Sequence, residues 1–185
     1  YADVFGCEAG LVRLGFVNGT HAITAALFAA LEPGQVLLSA VGAPYDTLHG
    51  VIGISGEHFG SLKMYGIGYR QVETLEDGKP DIDGILQAAA SKDVGAVLIQ
   101  RSRGYSTRPS LSVSEIKELC RQIRKVSNAN IVVDNCYGEF AEAEEPGGPD
   151  GGDLLCGSLI KNPGGGIAES GGYVVGRADL VERAA

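Results

Sequence analysis

Four stretches of this chain are runs of valine, isoleucine, leucine and alanine with few polar interruptions: residues 36–41, 94–100, 131–133 and 154–160. Each is too short for a wholly buried helix and is bounded by glycine, proline or polar residues. Such runs mark strands covered on both faces. Between them lie segments of helical spacing. Ser112-Val113-Ser114-Glu115 has the form of a capping box, and Ile116, Leu119, Cys120 and Ile123 keep one apolar face behind it. Further helices are expected from the Asn18-Gly19-Thr20 turn to Leu31, over 45–54, over 81–90 and over 178–185. Weaker strands are expected at 11–17, 68–73 and 172–175. The pattern predicts an α/β fold: three layers, with a mostly parallel seven-stranded sheet and helices on both faces.

Composition narrows what such a sheet serves. Among 185 residues, 15 lysines and arginines stand against 23 acidic residues, a net charge of −8. The densest basic stretch is Arg121, Arg124 and Lys125, at the spacing of a solvated helix face. A nucleic-acid or anionic-membrane partner is not expected. No apolar run is long enough to span a bilayer and no signal segment opens the chain, so a cytoplasmic protein is expected. Cys7, Cys120, Cys136 and Cys156 are far apart with no C-x-x-C pair, which favours reduced thiols over disulfides or zinc. The chain begins at Tyr1 and stops inside a helical segment, and reads as one domain from a longer polypeptide.

In parallel sheets ligands sit beyond the carboxyl ends of the strands. The residues just past each expected strand are Asn18-Gly19-Thr20-His21, Gly42-Ala43-Pro44-Tyr45, Gln100-Arg101-Ser102, Asp134-Asn135-Cys136-Tyr137 and Lys161-Asn162. The first group opens a helix, whose unpaired amides favour a phosphate. It would serve equally as a tight turn that Thr20 helps to cap. Asp134 ends a buried run, where a carboxylate needs a partner or several backbone donors. Lys161 follows Gly157-Ser158-Leu159-Ile160 and precedes Asn162-Pro163-Gly164-Gly165-Gly166. Partial burial there would make its amine a usable nucleophile, the alternative being a lysine that snorkels to solvent.

Other chemistries find no support. The glycines beside Lys161 come after it, whereas a phosphate-binding P-loop needs them before. Gly66-Ile67-Gly68 lacks the third glycine of a dinucleotide fingerprint. His21, His49 and His58 have no zincin spacing and no cysteine pair nearby, so no metal is expected. A lysine for a Schiff base, an aspartate for a pyridinium nitrogen and a helix N-terminus for a phosphate are together what pyridoxal 5'-phosphate (PLP) chemistry requires.

Four segments carry a resemblance: VDNCYGEF (133–140), GSLIKNPGGGIAESGGYVVG (157–176), APYDTLHGVIG (43–53) and QRSRGYSTRPSLS (100–112). They resemble the methionine gamma-lyase-like family, often described as cystathionine beta-lyase-like proteins involved in aluminium resistance, within the fold-type I PLP enzymes. The resemblance implies that the chain is the large cofactor-binding domain, lacking an N-terminal segment and a C-terminal small domain. It implies that Lys161 carries the cofactor, that Asp134 pairs with its ring nitrogen and that Tyr137 bonds its phenolic oxygen. Gly19, Thr20 and Ser158, with the His21 amide, would hold the phosphate, and Tyr45 would stack on the ring. Gln100, Arg101 and Ser102 would occupy a loop facing that ring.

The implied activity is a carbon–sulfur lyase on a sulfur-containing amino acid. Lys161 would take the α proton, and Tyr45 and Tyr137 would assist proton movements as a thiol leaves. The implied assembly is a homodimer or homotetramer. An aminotransferase would use the same residues, and a non-catalytic PLP-binding module is the reading from another class.

Overall fold

The computed structural model describes residues 1–55 and 59–185, so His58 lies outside the described residues. Seven strands form one sheet: β1 (Ala9–Arg13), β2 (Val36–Ser39), β3 (Gly68–Gln71), β4 (Val94–Gln100), β5 (Asn130–Asp134), β6 (Leu154–Ser158) and β7 (Gly172–Gly176), in the order β1-β7-β6-β5-β4-β2-β3. The helices are α1 (Ala2–Phe5), α2 (Gly19–Ala30), α3 (Thr47–Ile52), α4 (Ile82–Ala89), α5 (Val113–Val126) and α6 (Ala178–Arg183). This is the mostly parallel α/β sheet that the apolar runs predict.

Strand alternation sends successive side chains to opposite faces and divides the core in two. Ala96, Leu98, Val132, Leu154, Cys156 and Val174 pack with residues of α2, α3 and α6. Val97, Ile99, Ile131, Val133, Leu155 and Val175 pack with residues of α4 and α5. The capping box of α5 is formed in full: Ser112 accepts from the Glu115 amide, and Glu115 accepts from the Ser112 amide.

Several boundaries differ from expectation, β2 and β3 among them, which end two residues early at Ser39 and Gln71, and three have a clear local reason. β1 stops at Arg13 because its antiparallel pairing with β7 ends at Arg13↔Gly172. Leu14 and Val17 then lie exposed in the turn before α2. α3 is shorter than 45–54 because it ends on Gly53, which takes the left-handed conformation (φ 85). β6 ends at Ser158 and not at Lys161. Its hydrogen bonding passes to the return strand β7, leaving Lys161 in a turn where its amide donates to the Ser158 carbonyl (3.3 Å).

β7 runs antiparallel to β6, with Ser158 opposite Gly172 and Leu154 opposite Gly176. Residues 159–171 hold only a 3-10 turn (Asn162–Gly164). Without a crossover helix the chain can only return antiparallel. All four cysteines are unpaired. Among the described residues, no helix is long and apolar enough to cross a membrane.

If the doubly covered sheet carries the stability, Leu98→Ala should cost about 2–5 kcal/mol, while Ser112→Ala at the α5 cap should cost about 1 kcal/mol. Urea denaturation of both variants checks the order, and equal losses would refute it.

Candidate active site

The carboxyl ends of β5 and β6 and the start of α2 enclose a cavity of about 210 Å³. Its lining includes Gly19, Thr20, Tyr45, Asp134, Tyr137, Ser158 and Lys161. Of the eight residues singled out as cofactor-binding in the sequence, His21 alone is absent from the wall.

The floor is set by a close approach. A Cβ at Gly19 would lie 2.8 Å from the Ser158 Cβ and 3.4 Å from the Cys136 sulfur, so only glycine lets α2 open this near the sheet. Asn18 caps α2 by accepting from the His21 amide (2.9 Å). The His21 amide is therefore spent within the cap, while the amides of Gly19 and Thr20 precede the first intrahelical bond. Thr20 Oγ1 lies 2.8 Å from Thr47 Oγ1, which ties α2 to α3 across the cavity mouth. Beneath them Ser158 is 2% exposed and its hydroxyl has no hydrogen-bond partner among the described residues. A buried hydroxyl left unpaired costs about 1–3 kcal/mol. An anion seated against the Gly19 and Thr20 amides would satisfy it.

Asp134 ends β5, 4% exposed, and accepts from the Cys136 amide (3.1 Å). Burial pushes its carboxyl up, while the bonds from Cys136 and the charge of Lys161 oppose the rise. Burial, together with the Asp134 and Glu139 charges, pushes the Cys136 thiol well up, so it stays a neutral wall group. Lys161 Nζ donates to the Tyr137 hydroxyl.

Tyr45 is held at both ends. Its amide donates to Gln100 Oε1 (2.7 Å), and its hydroxyl donates to that of Tyr105 (3.0 Å). The hydrogen bond to Tyr105 comes first among the causes that push its phenol up to about 12, so it remains protonated at neutral pH. With its proton engaged by Tyr105, the Tyr45 phenol is a neutral, fixed wall group.

Gln100, Arg101 and Ser102 separate. Ser102 lines the cavity, and Gln100 Nε2 donates to the Ser102 carbonyl (3.0 Å) while its Oε1 holds Tyr45. Arg101 turns away, because neighbours on a strand point to opposite faces. It is 3% exposed, bonded to Asn135 Oδ1 (2.8 Å) and paired with Glu142 (2.6 Å) and Glu145 (3.5 Å). The expectation that Arg101 faces the cavity is corrected on this ground. Its role is to brace the 134–140 turn from behind.

A family profile described as Methionine gamma-lyase matches residues 1–185. The chain belongs to the methionine gamma-lyase family. Protein YnbB of Bacillus subtilis (strain 168) is 53% identical over 184 residues, covering 98% of this chain and 43% of that protein. The structure of a carbon–sulfur lyase involved in aluminium resistance from Clostridium novyi NT superposes with a TM-score of 0.93 at 48% identity, over 100% of this chain and 44% of that one. The pyridoxal-5'-phosphate-dependent protein YhfS of Escherichia coli, at 24% identity and TM-score 0.71 over 99% of this chain and 44% of that one, shows the shared fold. The chain spans less than half the length of these relatives.

Within this family framework, Ile23, Thr47, Leu48 and Gly104 also line the cavity without a sequence signal for the site. Thr47 and Gly104 follow Tyr45 and Ser102 by two positions in segments already singled out. Loop curvature, not periodicity, brings them to the cavity.

Behind the wall Glu139 is fully buried. Its Oε1 accepts from the Tyr173 hydroxyl (2.9 Å) and its Oε2 has no partner. Burial, reinforced by the nearby Asp134 and Glu145 charges, pushes its carboxyl up to about 7. The folded state therefore binds a proton that the unfolded chain releases near its ordinary value of 4.5. Stability tied to this group is complete below pH 4.5 and declines as pH rises toward 7, by at most about 3 kcal/mol. Glu139→Gln cannot lose that proton, so its stability relative to the parent should climb between pH 4.5 and 7. Thermal melts across that range check the sign, and parallel curves would show that Glu139 is ionised throughout.

Proposed function

We propose that this chain binds PLP through Lys161 and that its full-length protein eliminates a thiol from a sulfur-containing amino acid. The observation that carries the reading is the partnerless Ser158 hydroxyl on a wall shared with the α2 N-terminus, Asp134 and Lys161. That donor set fits a group with an anionic end, a basic ring nitrogen and an aldehyde. Gly19, Thr20 and Ser158 would hold the phosphate by hydrogen bonds. When bound, the cofactor supplies the electron sink for a substrate carbanion.

The protein's own residues then divide the work. Asp134, where the Lys161 charge opposes the upward push of burial, would hold a proton on the ring nitrogen. The Lys161 amine would carry the cofactor and would accept the α proton at Nζ. Tyr137 orients Nζ through its hydroxyl. Tyr45 flanks the cavity as a fixed aromatic wall. The carbon–sulfur lyase name of the Clostridium novyi relative supports elimination over transamination.

Borohydride treatment of the full-length protein with PLP should fix a pyridoxyl group on Lys161, found by peptide mapping. A label on Lys63 or Lys92 instead would refute the cofactor site. Supplied separately with cystathionine, methionine and cysteine, and with no keto acid acceptor, the protein should release ammonia and a keto acid. Pyruvate indicates β elimination, and 2-oxobutyrate from methionine indicates γ elimination. Product formation only after a keto acid is added would establish an aminotransferase.

Asp134→Asn should bind PLP nearly as well as the parent. Exchange of the substrate α proton should fall by on the order of 100-fold or more, the scale of a positioned proton-holding group. Deuterium uptake measures it, and unchanged exchange would give Asp134 another role.

A further inference from the structure

The residue after Lys161 reaches back to the turn that carries Tyr137. Asn162 Nδ2 donates to the Tyr137 carbonyl (3.1 Å) and to the Glu139 carbonyl (2.9 Å). The turn it grips is an unfavourable one. Tyr137 (φ 68) and Phe140 (φ 59) both hold left-handed backbone, which side-chain-bearing residues adopt rarely. Gly138 between them has no room for a side chain, since a Cβ there would lie 2.3 Å from Arg101 Cδ. Such a turn persists only where its surroundings over-determine it.

Its far end is held by Glu145, whose Oε1 accepts from the Phe140 amide (2.7 Å). Its near end, with the exposed Tyr137 ring, is held by Asn162. The Lys161 loop and the Tyr137 turn therefore meet at two adjacent points. One is the contact of Lys161 Nζ with the phenol, and the other is the Asn162 carboxamide astride the backbone.

We propose that Asn162 is a positioning residue: by clamping the turn at the Tyr137 and Glu139 carbonyls it fixes the Tyr137 phenol against the Lys161 amine. Asn162 itself lines no part of the cavity and acts only through Tyr137. The inference rests on Lys161 being the reactive amine of the reading above, although the clamp is testable without the cofactor.

The test is the rate at which a lysine-directed acylating reagent labels Lys161 in the full-length, cofactor-free protein, followed by peptide mapping with Lys63 and Lys92 as internal standards. An N–H held on the phenol must be freed before Nζ attacks. Tyr137→Phe should therefore label faster by roughly three- to tenfold, the worth of one hydrogen bond. Asn162→Ala should show a comparable gain, and Asn162→Asp likewise, since it keeps the volume and removes both donors.

The Asn162→Ala, Tyr137→Phe double variant should label no faster than Tyr137→Phe alone, because both changes break the same linkage. A general loosening of the loop would instead give additive gains. Lys161 labelling unchanged in Asn162→Ala and Asn162→Asp, or gains that add in the double variant, overturns the proposal. If neither Asn162 variant folds, NMR of the unaltered protein decides: slow solvent exchange of the Asn162 side-chain amide protons supports the clamp, and exchange as fast as a free carboxamide's overturns it. Absence of a pyridoxyl label on Lys161 would refute the cofactor reading and leave this result standing.

Discussion

β4, β5 and β6 are covered on both faces, and most of their side chains are withdrawn from water. A polar residue placed within such a strand would need a buried partner, at a cost of a few kcal/mol if it found none. Polar chemistry is thereby driven to the strand ends. Asp134 and Ser158 are the last residues of β5 and β6, and Gln100 is the last of β4. The parallel arrangement brings these ends to one edge, so the site is a consequence of how the core is covered. The antiparallel β7 fits the same logic. By returning beside β6 it forces residues 159–171 over that edge, and Lys161 with them.

An edge is not yet a site, because loops at strand ends are free to wander. Here the 134–140 turn is fixed from behind by a polar cluster of buried Arg101, Asn135, Glu139, Glu145 and Tyr173, joined at its edge by the exposed Glu142. Buried ion pairs are poor sources of net stability, since desolvation offsets most of their attraction. Their effect is geometric. Arg101 fills the space that a side chain at position 138 would need, and Glu145 fixes the Phe140 amide. The strained Tyr137 backbone is the product of those constraints.

The division of labour between the two faces explains what could be read from the sequence. Apolar runs and a capping box report local physics, and β4 and the start of α5 lie where those signals place them. Asp134 and Lys161 stood out as polar residues abutting such runs. Arg101 is misplaced because its position past a strand does not reveal that its partners Asn135, Glu142 and Glu145, distant in sequence, lie behind the wall. The His21 amide was claimed for a ligand because sequence does not reveal that Asn18 folds back onto it. β7 reversed direction because the length and content of 159–171, not the strand's own composition, decide it.

Two carboxyls share this region, and their protons are settled by their surroundings. Burial pushes both Asp134 and Glu139 up, and the Asp134 charge adds to the rise at Glu139. They are not equivalent. Asp134 has the Cys136 amide as a donor and the Lys161 charge to oppose the rise. For Glu139 its own backbone amide and the Tyr173 hydroxyl oppose the rise, and Oε2 has no partner among the described residues. A cation, Lys161, thus opposes the rise at Asp134. Environments that set neighbouring carboxyls apart in this way assign them different roles. Asp134 faces the cavity, and Glu139 lies behind it in the brace that holds Tyr137 in place.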